Sequence, residues 1–329
     1  MKKTLTLILT MVFLLLNTAS CGLSNVINYD GKYWYMDSTA SSNIYEQITY
    51  DVKVVSRTES KSTEIKNQYV SLVLDSGTYV TTLTKDGENY LYETSLNVNG
   101  NYVYGENKEA VNNDMQTKAI FTVNGFKPVS SEKKSTSTTT MAFISNSYTI
   151  INYAYDYKVN YNGKHAETVY NSQIKGTSEP TTVTNTYKNY NDNAYIDNEL
   201  LTFMPRAINF NNKESYTLSF TTVDVITQKL HDMTLTTVSN NVNLDVKTFP
   251  ISYDNVINGN AIVDSEGKVQ VVKVLLMIND TFSGGTIELY YALDHQTHRH
   301  RLIKAYTPLN DEMGYMEYTI KSAVLNTNI

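Results

Sequence analysis

The feature that most constrains this chain is a two-residue rhythm of apolar side chains. From Ile151 through Tyr153, Tyr155, Tyr157 and Val159 to Tyr161, every odd position is apolar or aromatic, against Asn152, Ala154, Asp156, Lys158 and Asn160. Successive side chains of a strand point to opposite faces, so such a segment has one buried and one wet face. Ile48, Tyr50, Val52 and Val54 repeat the pattern against Thr49, Asp51 and Lys53. Asp86-Gly87, Asn99-Gly100, Asn124-Gly125, Asn162-Gly163 and Asn258-Gly259 are dipeptides that tolerate positive φ and close tight hairpins. The expected class is mainly β, with antiparallel, hairpin-rich curved sheets or a half-barrel. Composition agrees, because 27 Tyr beside only 14 Gly and 5 Pro in 329 residues favours packed strands over disorder.

Further along, Val269 to Ile278 is apolar on both faces apart from Gln270 and Lys273, as in a central strand covered on both sides. Thr286 to Leu293 and His298 to Tyr306 read as an antiparallel pair, and Gly314 to Ala323 as a last strand. Two stretches depart from this character. Residues 197–207 hold Leu200, Leu201, Phe203 and Met204 behind a capping Asp197, the pattern of one short helix that Pro205 ends. Ser130 to Thr140 contains no apolar residue, so residues 129–147 are expected to be a linker or exposed loop. That boundary separates an N-terminal β module at 29–128 from a C-terminal β module at 148–323.

Ahead of both modules, Lys2 and Lys3 precede an apolar run from Leu5 to Leu16 that ends in Thr18-Ala19-Ser20-Cys21-Gly22. A charged start, a short apolar core and small residues before a cleavage point are the marks of an export signal, here residues 1–20. Cys21 is the only cysteine in the chain. The junction resembles the lipobox of bacterial lipoproteins, although Thr18 stands where that motif usually has leucine. The resemblance implies that Cys21 carries a lipid, such as palmitate, and that residues 21–28 link the anchor to the folded part. The implied location is the extracytoplasmic face of the cell membrane; cleavage after Ser20 without lipidation would instead give a secreted protein. A single cysteine permits no intramolecular disulfide, so stability has to come from burial and hydrogen bonds.

A formal charge of −6 disfavours a phosphate backbone, and nucleic acid is not an expected partner. The order of elements in the second half loosely resembles envelope half-barrel proteins of the lipoprotein-carrier type, which implies a concave sheet able to hold acyl chains.

Three constellations could carry chemistry. Val73-Leu74-Asp75-Ser76-Gly77-Thr78 resembles the active-site loop of aspartic proteases, but Ile262-Val263-Asp264-Ser265-Glu266-Gly267 places Glu266 where the partner loop needs glycine. One such aspartate cannot share a proton between two carboxyls, so the motif is expected to be a turn between strands, with Asp75 structural. His295, His298 and His300 are the clustered imidazoles, and a metal is geometrically feasible there. A solvated hairpin tip explains them more simply. The stripe Tyr153, Tyr155, Tyr157 and Tyr161 presents rings and hydroxyls on one face, the chemistry of a glycan or lipid ligand surface and equally of a packed sheet interior. No Gly-x-Ser-x-Gly, CxxC or HExxH motif occurs. The sequence therefore points to a lipoprotein that binds or supports rather than catalyses, with no cofactor expected, a lipid carrier as the alternative and a hydrolase behind both.

Overall fold

The structure, a computed structural model, describes residues 44–55, 64–65, 68–142, 148–163, 165–176, 179–188, 196–207, 210, 217–240, 243–244, 246–250, 266–278, 285–293, 300–309 and 313–327. The strands in chain order begin with β1 (Ile44–Val55), β2 (Glu64–Ile65), β3 (Gln68–Asp86), β4 (Asn89–Tyr104), β5 (Asn107–Thr122) and β6 (Pro128–Ala142). There follow β7 (Tyr148–Tyr161), β8 (His165–Ile174), β9 (Thr181–Lys188), β10 (Thr217–Asp224), β11 (Lys229–Thr237) and β12 (Ser239–Asn240). The series ends with β13 (Asn243–Leu244), β14 (Val246–Pro250), β15 (Lys268–Ile278), β16 (Ile287–Ala292), β17 (Arg301–Pro308) and β18 (Tyr315–Thr327). The helical turns among the described residues are two short 3-10 turns, Asn198–Leu200 and Met204–Ala207.

One antiparallel sheet runs in the order β10-β11-β15-β16-β17-β18-β1-β3-β4-β5-β6-β7-β8-β9, with β14 also beside β15 and β2 beside β3. The mainly-β expectation is met. β1 is the junction of the two halves, since it pairs with β18 on one edge and β3 on the other. Asp86-Gly87, Asn124-Gly125 and Asn162-Gly163 lie in the connections that reverse the chain between consecutive strands, while Asn258-Gly259 lies outside the described residues.

No ladder joins the ends β9 and β10 among the described residues. They overlap instead. Leu218 and Phe220 of β10 belong to the large core, whereas Val223, on the opposite face of the same strand, packs with Val225 against Tyr157, Val159, Ala166 and Tyr170 of β7 and β8. The outer face of β10 therefore lies against the inner face of β7 and β8, and the sheet rolls up like a spiral rather than closing as a barrel. This overlap covers the β10 end of the sheet without a strand ladder among the described residues, while the Ile196 N–H donates to the Thr221 carbonyl on that edge at 3.2 Å.

Three local expectations change. Residues 129–147, expected as a linker or exposed loop, contain most of β6, which is paired on both edges with β5 and β7. Its inward residues are Ser131, Lys133 and Ser135, so no apolar alternation announces the strand; their partners come from another part of the chain. The Asp75 turn is instead a bulge inside the continuous β3, where the register shifts between Leu74 and Ser76. Asn99-Gly100 does not turn either. It sits within β4 opposite that bulge, where a Cβ on Gly100 would lie 2.2 Å from the Val73 carbonyl oxygen, so glycine permits the close approach of the strands.

Candidate functional site

Residues 196–207 and Phe210 form a plug against the inner face of the sheet. Leu200, Phe203, Met204 and Phe210 are all buried in the main core with Tyr92, Phe121, Leu235, Leu289 and Tyr291. The Phe203 ring lies 4.9 Å from Tyr92 and 5.1 Å from Phe121, and the Tyr291 hydroxyl donates to the Thr202 carbonyl at 2.6 Å. The helix expected over 197–207 is thus two 3-10 turns, with Asp197 capping the first by accepting from the Glu199 N–H at 2.8 Å.

The plug rests on a polar belt. One register row crosses six strands as Thr81, Thr94, Thr117, Lys133, Tyr157 and Tyr170. Thr94 and Thr117 share a hydrogen bond of 2.7 Å. Beyond it, on the side away from the plug, lies a second apolar layer of Val52, Leu96, Val98 and Met316. Buried polar groups of this kind persist only when they satisfy one another, and the plug supplies the missing partners.

At the front of the plug, the Ser131 hydroxyl donates to Asp197 at 2.6 Å, and the Tyr161 hydroxyl donates to the same carboxylate. Lys133 Nζ lies 3.4 Å from Glu199, which also accepts from the Tyr157 hydroxyl and, at 3.0 Å, from Asn198. Burial pushes the Asp197 carboxyl up to about 6; the Ser131 and Tyr161 hydrogen bonds pull against this, and the neighbouring Glu199 charge adds to it. Burial opposes charge on Lys133, but Glu199 more than offsets it and holds the ammonium above its ordinary value.

At the back of the plug, Arg206 Nη1 and Nη2 donate to Glu46 at 2.6 and 2.9 Å, and Arg206 Nε donates to the His300 carbonyl at 2.6 Å. Arg301 Nε reaches the same carboxylate at 3.4 Å. Burial pushes Glu46 up, yet the two guanidinium groups more than compensate and leave it below the ordinary value. Burial likewise opposes the charge on Arg206, and Glu46 reverses the effect.

The structure brings the tyrosine stripe together. Tyr153 and Tyr155 lie 5.6 Å apart, Tyr155 and Tyr157 stack at 6.4 Å, and Tyr153 shares a hydroxyl hydrogen bond with Tyr170 of β8. Tyr157 is buried, while Tyr153, Tyr155 and Tyr161 are half-buried, and Tyr157 and Tyr161 are the two that reach the plug. Of the three clustered histidines, His300 is the one among the described residues. His300 is 1% exposed with its ring 4.9 Å from Phe210, so it is a core residue rather than part of a solvated tip; His295 and His298 lie outside the described residues. No group of three His, Cys, Asp or Glu side chains fit to hold a metal occurs among the described residues. Asp75 is exposed and accepts from Asn101 at 3.3 Å. Cys21 lies outside the described residues.

Sequence reasoning missed Lys133, Ser131, Glu46 and Arg206. The signal for the first two was the alternation Ser131, Lys133, Ser135 against Glu132 and Lys134, which becomes a strand pattern once serine and a paired lysine are allowed on the inner face. On the outer face a depression of about 780 Å³ is lined by Glu93, Lys118, Glu132, Lys134, Asp156 and Lys158. The row Glu93, Lys118, Glu132, Lys158 runs in register across four strands, so opposite charges are cross-strand neighbours that support the sheet.

No family model matches the chain, and no curated protein matches it. Among solved structures it is similar to a beta-barrel-like protein of domain of unknown function DUF1849 from Brucella abortus, with a TM-score of 0.45 and 11% identity over 86% of this chain and 98% of that one.

Proposed function

We propose that this chain is a lipid-anchored envelope protein, attached through Cys21 at the extracytoplasmic face of the cell membrane, that binds or supports rather than catalyses. The single observation that carries the non-catalytic part is how the inner face is filled. A hydrophobic-ligand carrier needs an apolar inner groove, and here Leu200, Phe203 and Met204 occupy that face. A hydrolase needs polar groups free to meet substrate, and here the buried carboxylates Glu46, Asp197 and Glu199 are each engaged by several donors of the chain itself. Tyr153 and Tyr155 pack on Tyr157 and Tyr170 yet stay half-buried beside the plug, and their exposed ring edges are the surface this reading offers to a glycan. The anchoring part rests on the sole cysteine following the apolar run.

Membrane fractionation tests the anchor. Wild type is expected with the membranes and Cys21→Ser in the soluble fraction, because a covalent acyl chain contributes most of the attachment. Wild-type protein recovered free of membranes with an unmodified N-terminus would overturn it. Native mass spectrometry of the full-length protein released from membranes tests the rest: an acyl lipid bound in stoichiometric amount would move the protein to the carrier class.

A further inference from the structure

We propose that the Asp197–Glu199 end of the plug is a proton-operated latch over the tyrosine row, seated firmly when the carboxylate pair holds one proton and loosened when it holds none. The proposal concerns regulation of the ligand surface proposed above and rests on that reading only for its purpose, not for its test.

The geometry begins with a charge count. Among the described residues, two carboxylates, Asp197 and Glu199, share one pocket with one ammonium, Lys133. β6 contributes Ser131 and Lys133 to it, and β7 contributes the Tyr155, Tyr157 and Tyr161 hydroxyls, phenols that carry no charge well below about pH 10. β5 and β10 also flank the turn, and their inward residues there, Thr117, Ala119, Phe220 and Thr222, carry no charge. With both acids ionised the pocket holds an uncompensated negative charge in a low-dielectric setting, which is costly. One proton on the pair removes it. That burial and the Glu199 charge hold the Asp197 carboxyl near 6 agrees with this count.

The consequence is mechanical because Asp197 is an anchor. It ties the first 3-10 turn to β6 through Ser131 and to β7 through Tyr161, next to the Glu199 tie to Lys133 and Tyr157. A group bound more strongly in its protonated form stabilises the seated state at low pH, and that contribution disappears as pH rises through the folded value. The latch is thus tight at mildly acidic pH and loose at neutral pH, where Tyr157 and Tyr161 become the groups it uncovers.

Hydrogen–deuterium exchange on the full-length protein in detergent, corrected for intrinsic exchange rates, reads the latch without any ligand. Protection of amides in 196–201 and 155–161 is expected to fall by up to about tenfold between about pH 5 and about pH 7.5 in wild type. In Asp197→Asn, which cannot ionise, that fall should vanish. Protection in wild type that does not change with pH, or a pH dependence that survives Asp197→Asn, overturns the proposal. Should Asp197→Asn not fold, Glu199→Gln decides: removing the like charge should shift the fall to lower pH, and an unshifted curve overturns the latch. None of these outcomes depends on Cys21 or on ligand binding, so the latch and the function proposed above fail separately.

Discussion

The two ends of the plug are fastened by ion pairs of opposite balance. At the back, one carboxylate, Glu46, meets two guanidinium groups, Arg206 and Arg301; at the front, two carboxylates, Asp197 and Glu199, meet one ammonium. Both sites are buried, so the difference lies in which charge is in excess. Guanidinium cannot lose its proton in a protein, and a carboxylate facing two of them stays ionised to low pH. A pair of carboxylates facing one lysine can relieve its excess with a proton. The comparison teaches that burial alone does not make an anchor pH-sensitive; the sign of the uncompensated charge does.

The contrast is most exposed to failure at Arg206. Arg206→Met leaves Glu46 with only the longer contact to Arg301, and a buried ion pair broken on one side costs about 3–5 kcal/mol. Urea titration near neutral pH should show that loss, and Glu46→Met with Arg206→Met should recover part of it, since the double change leaves no stranded charge. A loss under about 1 kcal/mol for the single variant would mean that the back anchor does not hold the plug.

Next in size is the tyrosine row beneath the front anchor. Tyr155 stacks on Tyr157 and also approaches Tyr170, so Tyr155→Ala is expected to cost about 2–4 kcal/mol, as large-to-small core changes do. Lys158 points outward from the same strand, and Lys158→Ala should stay within about 0.5 kcal/mol. Equal, negligible shifts in thermal melts of both variants would make the row an open ligand surface and remove the packing role of the front anchor.

These residues also show how far the sequence could be read. β1 and β7 were legible from local apolar alternation and β15 to β18 from short apolar and aromatic runs, and Asp197 was legible as a cap because capping is a matter of the next three residues. β6 was not, because its inner face is made of Ser131 and Lys133, whose partners stand 66 residues later in the chain. Glu46 and Arg206 are 160 residues apart, and neither has a local motif. Asp75-Ser76-Gly77 and Asn99-Gly100 carry turn composition, yet they serve a bulge and the close backbone approach facing it. Gly87, Gly125 and Gly163 supply positive φ in hairpins, whereas Gly77 and Gly100 leave out a Cβ where backbones crowd, and composition alone does not tell the two needs apart.

The pH dependence of stability should separate the two ends directly. Glu46 sits below its ordinary value of 4.5, so it contributes stability that is present above that value and lost as pH falls through the folded one. Asp197 is raised from 3.8 to about 6, so its contribution is complete below 3.8 and lost as pH rises through about 6. Between about pH 5 and about pH 7.5, wild type should lose about 1–1.5 kcal/mol more than Asp197→Asn in denaturant titrations, the part of a shift from 3.8 to about 6 that falls in this window. Parallel curves for the two proteins would show that Asp197 titrates alike in the folded and unfolded chain, and the asymmetry of the two anchors would go.

The smallest expected effect tests the same asymmetry from the donor side. Ser131 Oγ gives Asp197 a hydrogen bond of 2.6 Å that favours the ionised carboxylate. Removing it by Ser131→Ala should cost about 1 kcal/mol near pH 7.5, where the carboxylate is charged and keeps only the Tyr161 hydroxyl and the Glu199 N–H. Near pH 5 the cost should be smaller, because a protonated carboxyl depends less on an accepted hydrogen bond. The same deletion should therefore steepen the pH dependence rather than merely lower the stability. A cost that is equal at the two pH values would show that Ser131 packs against Asp197 without sensing its charge, and the front anchor would then resemble the back one.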